Sequence, residues 1–117
     1  MQIPSSVPPD TKNDSRRRPR YSFVADIEVS ELQSEIQIRD RTKALSMCGC
    51  GVDTENLFPK GTKVRIKIAH GGSTFEAVGR VAYAQPTLGM GIVFTSVEPE
   101  SDQVLKGWLA NYGEIND

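Results

Sequence analysis

From Tyr21 onward, apolar residues alternate with polar ones. Phe23, Ala25, Ile27 and Val29 are separated by Ser22, Val24, Asp26, Glu28 and Ser30, the two-residue period of a half-buried strand. Leu32-Gln33-Ser34 reads as the turn that follows. Ile36 and Ile38 then alternate with Glu35, Gln37 and Arg39 in a second strand that runs on toward Leu45. Residues 47–54 are short and rich in Cys and Gly, and predict a third strand whose glycines permit an irregular backbone. Pro59 and Gly61 mark 56–61 as a loop. Val64, Ile66 and Ile68 alternate with Lys63, Arg65 and Lys67, the cleanest strand of the chain. His70-Gly71-Gly72-Ser73 predicts a hairpin turn, because Gly-Gly accepts the positive φ of two-residue hairpin loops. A strand over Phe75–Ala84 lies beyond it. Pro86–Gly89 is a further turn and Met90–Thr95 the last strand.

The period then changes. Val104, Leu105, Trp108, Leu109 and Tyr112 recur at three- and four-residue spacing, after an acidic start containing Pro99, Glu100 and Asp102. Gly113 offers a stop. Six short strands and one amphipathic helix predict an all-β fold, a six-stranded antiparallel β-barrel with a C-terminal α-helix across an open end or flank. Closure removes the edges that such short strands would otherwise expose. Trp108 is expected in the core. Residues 1–15, with Pro4, Pro8, Pro9 and little to bury, read as a disordered N-terminal tail. The domain is expected to span 16–113.

The 117 residues suffice for one domain with a modest core. Net charge is only −1, so the chain as a whole has no pull on nucleic acid. The distribution is uneven. Residues 1–20 carry five Lys/Arg against two Asp, and the remainder nine against thirteen acidic residues. That asymmetry marks a local anion site or basic arm. Cys48 and Cys50 are too close for an ordinary disulfide or a zinc half-site. Two apart, they are expected on one face of a strand as reduced packing residues. His70, in its glycine-rich turn, is expected to be exposed. No apolar run approaches membrane-spanning length and no signal-peptide core follows Met1, which predicts a cytoplasmic protein with no membrane partner.

Two clusters stand out as candidate chemistry. Arg16-Arg17-Arg18-Pro19-Arg20 sits immediately before the first strand, and Ser46-Met47-Cys48-Gly49 follows the second. Guanidinium groups pair with phosphate oxygens, or with guanine O6 and N7, through parallel hydrogen bonds, and their flat faces stack on purines. Pro19 fixes its own φ and biases Arg18 away from helix. Ser46 offers a donor and an acceptor, and Gly49 a backbone that a ligand can approach.

Arg16-x-x-x-Arg20, Ser46-x-x-Gly49, Pro59-x-Gly61 and Gly91-Ile-Val-Phe94, in that order and strand context, resemble the PilZ domain family over roughly residues 16–112. The resemblance implies a six-stranded barrel that binds the bacterial second messenger cyclic di-GMP, with no cofactor. It implies Arg16 and Arg20 as the arginines of the RxxxR motif. The candidate ligand-binding set is Arg16, Arg17, Arg20, Ser46 and Gly49, with Arg18 a further arginine beside them. The sequence departs from the family at Ala44, where its second motif (D/N-x-S-x-x-G) has Asp or Asn. Alanine accepts no hydrogen bond from a guanine edge, and an unpaired buried donor costs about 1–3 kcal/mol, on the order of tenfold to a hundredfold in affinity.

No HExxH, P-loop or GxSxG is present, and one His with two Cys cannot build a triad, so the chain reads as a binding module and not an enzyme. The leading expectation is a cyclic di-GMP receptor whose arginines close over the ligand, changing a surface that a downstream protein reads. The alternative is a protein-interaction module that kept the fold and lost the nucleotide, for which Ala44 speaks. A nucleic-acid-binding barrel with a basic arm is weaker, since the chain after residue 20 is net acidic and lacks an aromatic stripe for base stacking.

Overall fold

The structure, a computed structural model, describes residues 20–110. Its elements are β1 (Tyr21–Ser22), β2 (Asp26–Glu31), β3 (Gln37–Leu45), β4 (Gly49–Asp53), β5 (Lys63–His70), β6 (Ser73–Gln85), β7 (Gly89–Val97) and α1 (Pro99–Ala110). All strand pairs are antiparallel, in the order β1-β3-β2-β5-β6-β7-β4, and a β3–β4 pairing closes the ring. The expected N-terminal tail, the arginines before Arg20, and Tyr112 and Gly113 lie outside the described residues.

β1 and β2 are two halves of one stave, so the barrel has the six staves that the periodicity predicts. Ser22 pairs with Ala44 and Asp26 with Arg41, four steps on one side against three on the other. The extra residue is a bulge. Thr42, fully buried, bridges the break. Its hydroxyl donates to the Phe23 carbonyl (2.5 Å) and accepts from the Ala25 amide (3.0 Å). The inward positions Phe23, Ala25, Ile27 and Val29 nonetheless stay buried, as their alternation requires.

A second irregularity falls at Lys43, between the pairs Thr42–Val52 and Ala44–Gly51. It lets Thr42 and Leu45 both face the interior, which leaves Lys43 and Ala44 together on the outer wall. Arg39, Arg41 and Lys43 all face outward, but their partners differ. Arg39 and Arg41 pair with Glu28 (3.4 Å) and Asp26 (3.8 Å) across β2–β3, whereas Lys43 reaches over Gly51 and donates to the Leu88 carbonyl.

Gly71 and Gly72 form the two-residue loop of the β5–β6 hairpin with φ of 60° and 82°, both in the region that glycine adopts freely. α1 caps the barrel mouth beside that hairpin. Leu105, Trp108 and Leu109 are buried, and the Ser101 hydroxyl accepts from the Glu76 amide at 3.1 Å. The Trp108 ring stacks on Phe23 (5.5 Å between centroids, 29°) and tilts against Phe75 (6.4 Å), in the core as its spacing predicts. His70 corrects an expectation. It is half-buried, 4.7 Å from Phe23 and edge-on to Trp108 at 5.5 Å, because the last residue of β5 still faces the mouth that the helix covers.

Candidate functional site

The site grows from the β3–β4 connection. At residue 46 the chain leaves β3 and must turn sharply to start β4 at Gly49. Ser46 builds that turn. Its amide donates to the Gly49 carbonyl (2.9 Å), and its hydroxyl accepts from the amides of Cys48 (3.1 Å) and Gly49 (3.2 Å) and donates to the Gly49 carbonyl (3.3 Å). One donor and two acceptor sites are a hydroxyl's full capacity. Ser46 is itself buried. Its hydroxyl therefore shapes the bend, where the sequence suggested a direct contact with ligand.

Gly49 is glycine for a related reason. A Cβ there would collide with the Ile92 carbonyl of β7 and crowd the Val93 Cα. The close approach that glycine permits is between two strands, not only toward a ligand. Two residues on, Gly51 sits between Ala44 of β3 and Gly91 of β7 in the ladder. Ser22, Ala44, Gly51 and Gly91 thus form one row of small residues across four strands, with the Lys43 stem lying over Gly51. Tyr83, paired with Gly91 from β6, ends the row with its ring over the glycine.

This strip of small residues lines a shallow concavity of about 190 Å³ on the outer wall. Arg20, exposed at the start of the described chain, forms one flank, with Ala44, Ser46 and Gly49 beside it and Tyr83 on the far side. The structure therefore brings together three of the five residues the sequence nominated, Arg20, Ser46 and Gly49. Arg16 and Arg17 lie outside the described residues. Ala44 lines the same concavity, so an Asp or Asn at this position would face into it.

The two cysteines part company. Cys50 is buried in the core, and burial pushes its thiol up to about 12, which makes it unreactive at neutral pH. Cys48 is exposed and lines the concavity, contrary to the expected shared face. The alternation behind that expectation holds only inside a strand, and β4 begins one residue after Cys48. Among the described residues no cluster of three His, Cys, Asp or Glu is placed to hold a metal ion, and no helix is long and apolar enough to cross a membrane.

A sequence-family model with the description PilZ domain matches residues 14–111. The chain belongs to the PilZ domain family. No curated protein matches its sequence. Among solved structures, the PilZ domain of CeSA from a cellulose-synthesizing bacterium is similar at a TM-score of 0.63 and 21% identity, over 77% of this chain and 97% of that one. YcgR of Escherichia coli, solved in complex with c-di-GMP, gives 0.70 and 19%, over 86% of this chain and 47% of that one. The Bacillus subtilis inhibitor of motility MotI/DgrA gives 0.66 and 18%, over 87% and 52%. At such identities the likeness speaks for the fold. This PilZ chain spans about half the length of MotI/DgrA and of that YcgR chain.

Tyr83, Gly51 and Cys48 are the site residues that sequence reading missed. A signal for Gly51 was available. Gly49-Cys-Gly51 and Gly89-Met-Gly91 place glycine at alternate positions of two strands, around the inward Cys50 and Met90. Glycine on two successive outward positions of neighbouring strands marks a place where another backbone or molecule can lie close.

Proposed function

We propose that this PilZ domain binds cyclic di-GMP on the outer wall floored by Ala44, Gly51 and Gly91, as a receptor for that second messenger. The observation that carries the reading is the meeting of Arg20 with the Ser46–Gly49 turn at one concavity. Its volume of about 190 Å³ falls short of the roughly 300–1,000 Å³ of pockets that engulf a ligand. A dinucleotide with two phosphodiester anions and two guanines would lie against this wall and need a cover. The arginines supply it. Arg16 is four residues before Arg20, a tether of at most about 14 Å, so Arg16, Arg17 and Arg20 reach the same ligand. Their forked donors suit phosphate and the guanine Hoogsteen edge. Ser46 and Gly49 contribute by holding the turn and the β4–β7 approach that make the floor.

Arginine closure requires the ligand to favour the closed arrangement over the open one, and the closed segment then offers a downstream protein a new surface. The setting would be the bacterial cytoplasm. Calorimetric titration with cyclic di-GMP, with GTP and cyclic AMP as controls, tests the reading. Saturable heat with the dinucleotide alone is expected, and no heat at about tens of micromolar ligand overturns it.

Ala44 favours a second reading, a protein-interaction module that has lost the nucleotide. Partner capture that ignores cyclic di-GMP and survives Arg16→Ala with Arg20→Ala would establish it.

A further inference from the structure

Where charged residues face each other across β2, β3, β5 and β6, their signs are opposite, with one exception. Arg39, Glu28, Lys67 and Glu76 stand in a single row, and Arg41 faces Asp26 in the next row toward the barrel mouth. Lys63 and Arg80 break the pattern. They are directly opposed in the β5–β6 ladder, and both are exposed. Neither has an ion pair or a side-chain hydrogen bond among the described residues. Like charges opposed across a ladder cost stability. Lysine often guards a sheet edge, but β5 and β6 lie inside a closed ring and have no edge to guard.

The segment before β5 adds a third cation. The Gly61 amide donates to the Val81 carbonyl (2.7 Å) and the Val81 amide to the Thr62 carbonyl (2.9 Å). These bonds fix the chain carrying exposed Lys60 beside the β6 residue that follows Arg80. Lys60 and Lys63 also line a cavity of about 480 Å³ against Leu32 and Gln33 of the β2–β3 turn. Glu31 lines the same cavity, but it continues the inward alternation of Ile27 and Val29, and its carboxylate accepts from the Ser34 hydroxyl.

We propose that Lys60, Lys63 and Arg80 form a docking surface for an acidic segment of a partner protein. Opposed residues of a ladder lie about 5 Å apart, close to the roughly 5–6 Å between carboxylates at i and i+4 on a helix. The Arg80 fork takes one carboxylate through parallel hydrogen bonds, and the cavity beside Lys63 receives a neighbouring side chain. A nucleic acid or an anionic bilayer fits this surface less well. Glu28 and Glu76 bound the patch toward the mouth and Glu35 lies at the β2–β3 turn, so a polyanion running past the three cations meets carboxylates. No aromatic ring stands among the three for a base to stack on. The surface is separate from the nucleotide reading, since Lys63 is three strands from Gly49 along the row Lys63, Arg80, Val93, Gly49.

The experiment is an amide NMR titration of the full chain at low salt with an alanine-based helical peptide carrying Glu at i and i+4. The controls are the same peptide with Gln for Glu, an oligothymidylate of about a dozen nucleotides, and phosphatidylglycerol vesicles. The Glu peptide should give saturating shifts at residues 60–63 and 80, the Gln peptide none, and Lys63→Glu should weaken that binding at least about tenfold. Residues 16–20 are a second basic segment in the same sample, and shifts confined to them overturn the proposal. Oligothymidylate or vesicles that move residues 60–63 and 80 more than the Glu peptide does also overturn it. One readout needs no partner. Lys63→Glu places opposite charges across the ladder and should raise Tm by about 2–6 °C while leaving cyclic di-GMP affinity within about twofold. An unchanged or lower Tm shows that the opposed pair costs nothing, and a larger loss of cyclic di-GMP affinity assigns the pair to the nucleotide site; either result overturns the proposal.

Discussion

Gly49 and Gly51 lie two residues apart on the same face of β4, yet replacing each with alanine should have opposite consequences. At Gly49 the new Cβ would overlap the Ile92 carbonyl oxygen. Neither atom belongs to a side chain that can rotate away, so β4 must move from β7. That movement strains the hydrogen bond from the Phe94 amide to the Cys48 carbonyl (2.8 Å) and the pairs Gly49–Val93 and Cys50–Ile92. Overpacking of this kind costs about 1–3 kcal/mol and a weakened hydrogen bond about 1 more, offset by about 0.5–1 from replacing a strand glycine. The net is about 2 kcal/mol, a fall in Tm of roughly 8–16 °C for a domain of this size. At Gly51 the nearest atoms to the new Cβ would be the Lys43 stem at 3.4 Å and the Ala44 Cβ at 3.7 Å, ordinary contacts. Gly51→Ala should therefore leave Tm unchanged or slightly raised. It also raises a methyl in the middle of the floor, and should weaken cyclic di-GMP binding about tenfold. Thermal unfolding by circular dichroism and calorimetric titration of both variants make the comparison. A Gly49→Ala protein as stable as the parent would refute the strand-approach argument, and a Gly51→Ala protein that binds normally would refute the placement of the floor.

Three other outcomes are expected. Ala44→Asp restores an acceptor facing the concavity and should tighten cyclic di-GMP binding by about tenfold to a hundredfold, whereas Arg20→Ala should abolish it; an Asp variant no better than the parent in the same titration counts against the geometry. Thr42→Val keeps the shape but removes the hydroxyl that joins Phe23 to Ala25, and should lower stability by about 2–3 kcal/mol in urea unfolding, while a loss below about 0.5 would show that the bulge holds without it. A thiol reagent should label Cys48 in the native protein and Cys50 only after unfolding, and bound cyclic di-GMP should protect Cys48; native labelling of Cys50 would contradict its burial.

The barrel was largely legible in the sequence because its strands are amphipathic and its turns carry glycine where positive φ is needed. Val64, Ile66 and Ile68 alternate without a break, and Gly71-Gly72 names its own turn type. The two bulges were not legible. The inward residues on either side of the Phe23–Ala25 break keep their period, so the shift shows only in the pairing with β3. The bulge at Lys43 has no sequence mark except that Thr42 and Leu45 both end up inside. The site followed the same division. The motif residues Arg20, Ser46 and Gly49 meet at one place, as their spacing suggested. What the spacing could not convey was that the Ser46 hydroxyl is spent on its own turn and that Gly49 serves a neighbouring strand, since both depend on partners far along the chain. His70 was misjudged for the same reason, because the Trp108 that covers it lies nearly forty residues away.

The most direct test of the central claim is an amide NMR titration of the protein with cyclic di-GMP. The account predicts shifts that saturate and cluster at Arg20, Ala44–Gly51 and Gly91, with β5 and the β2–β3 turn quiet. Absent shifts, or shifts gathered at the barrel mouth around His70 and Trp108, would contradict it.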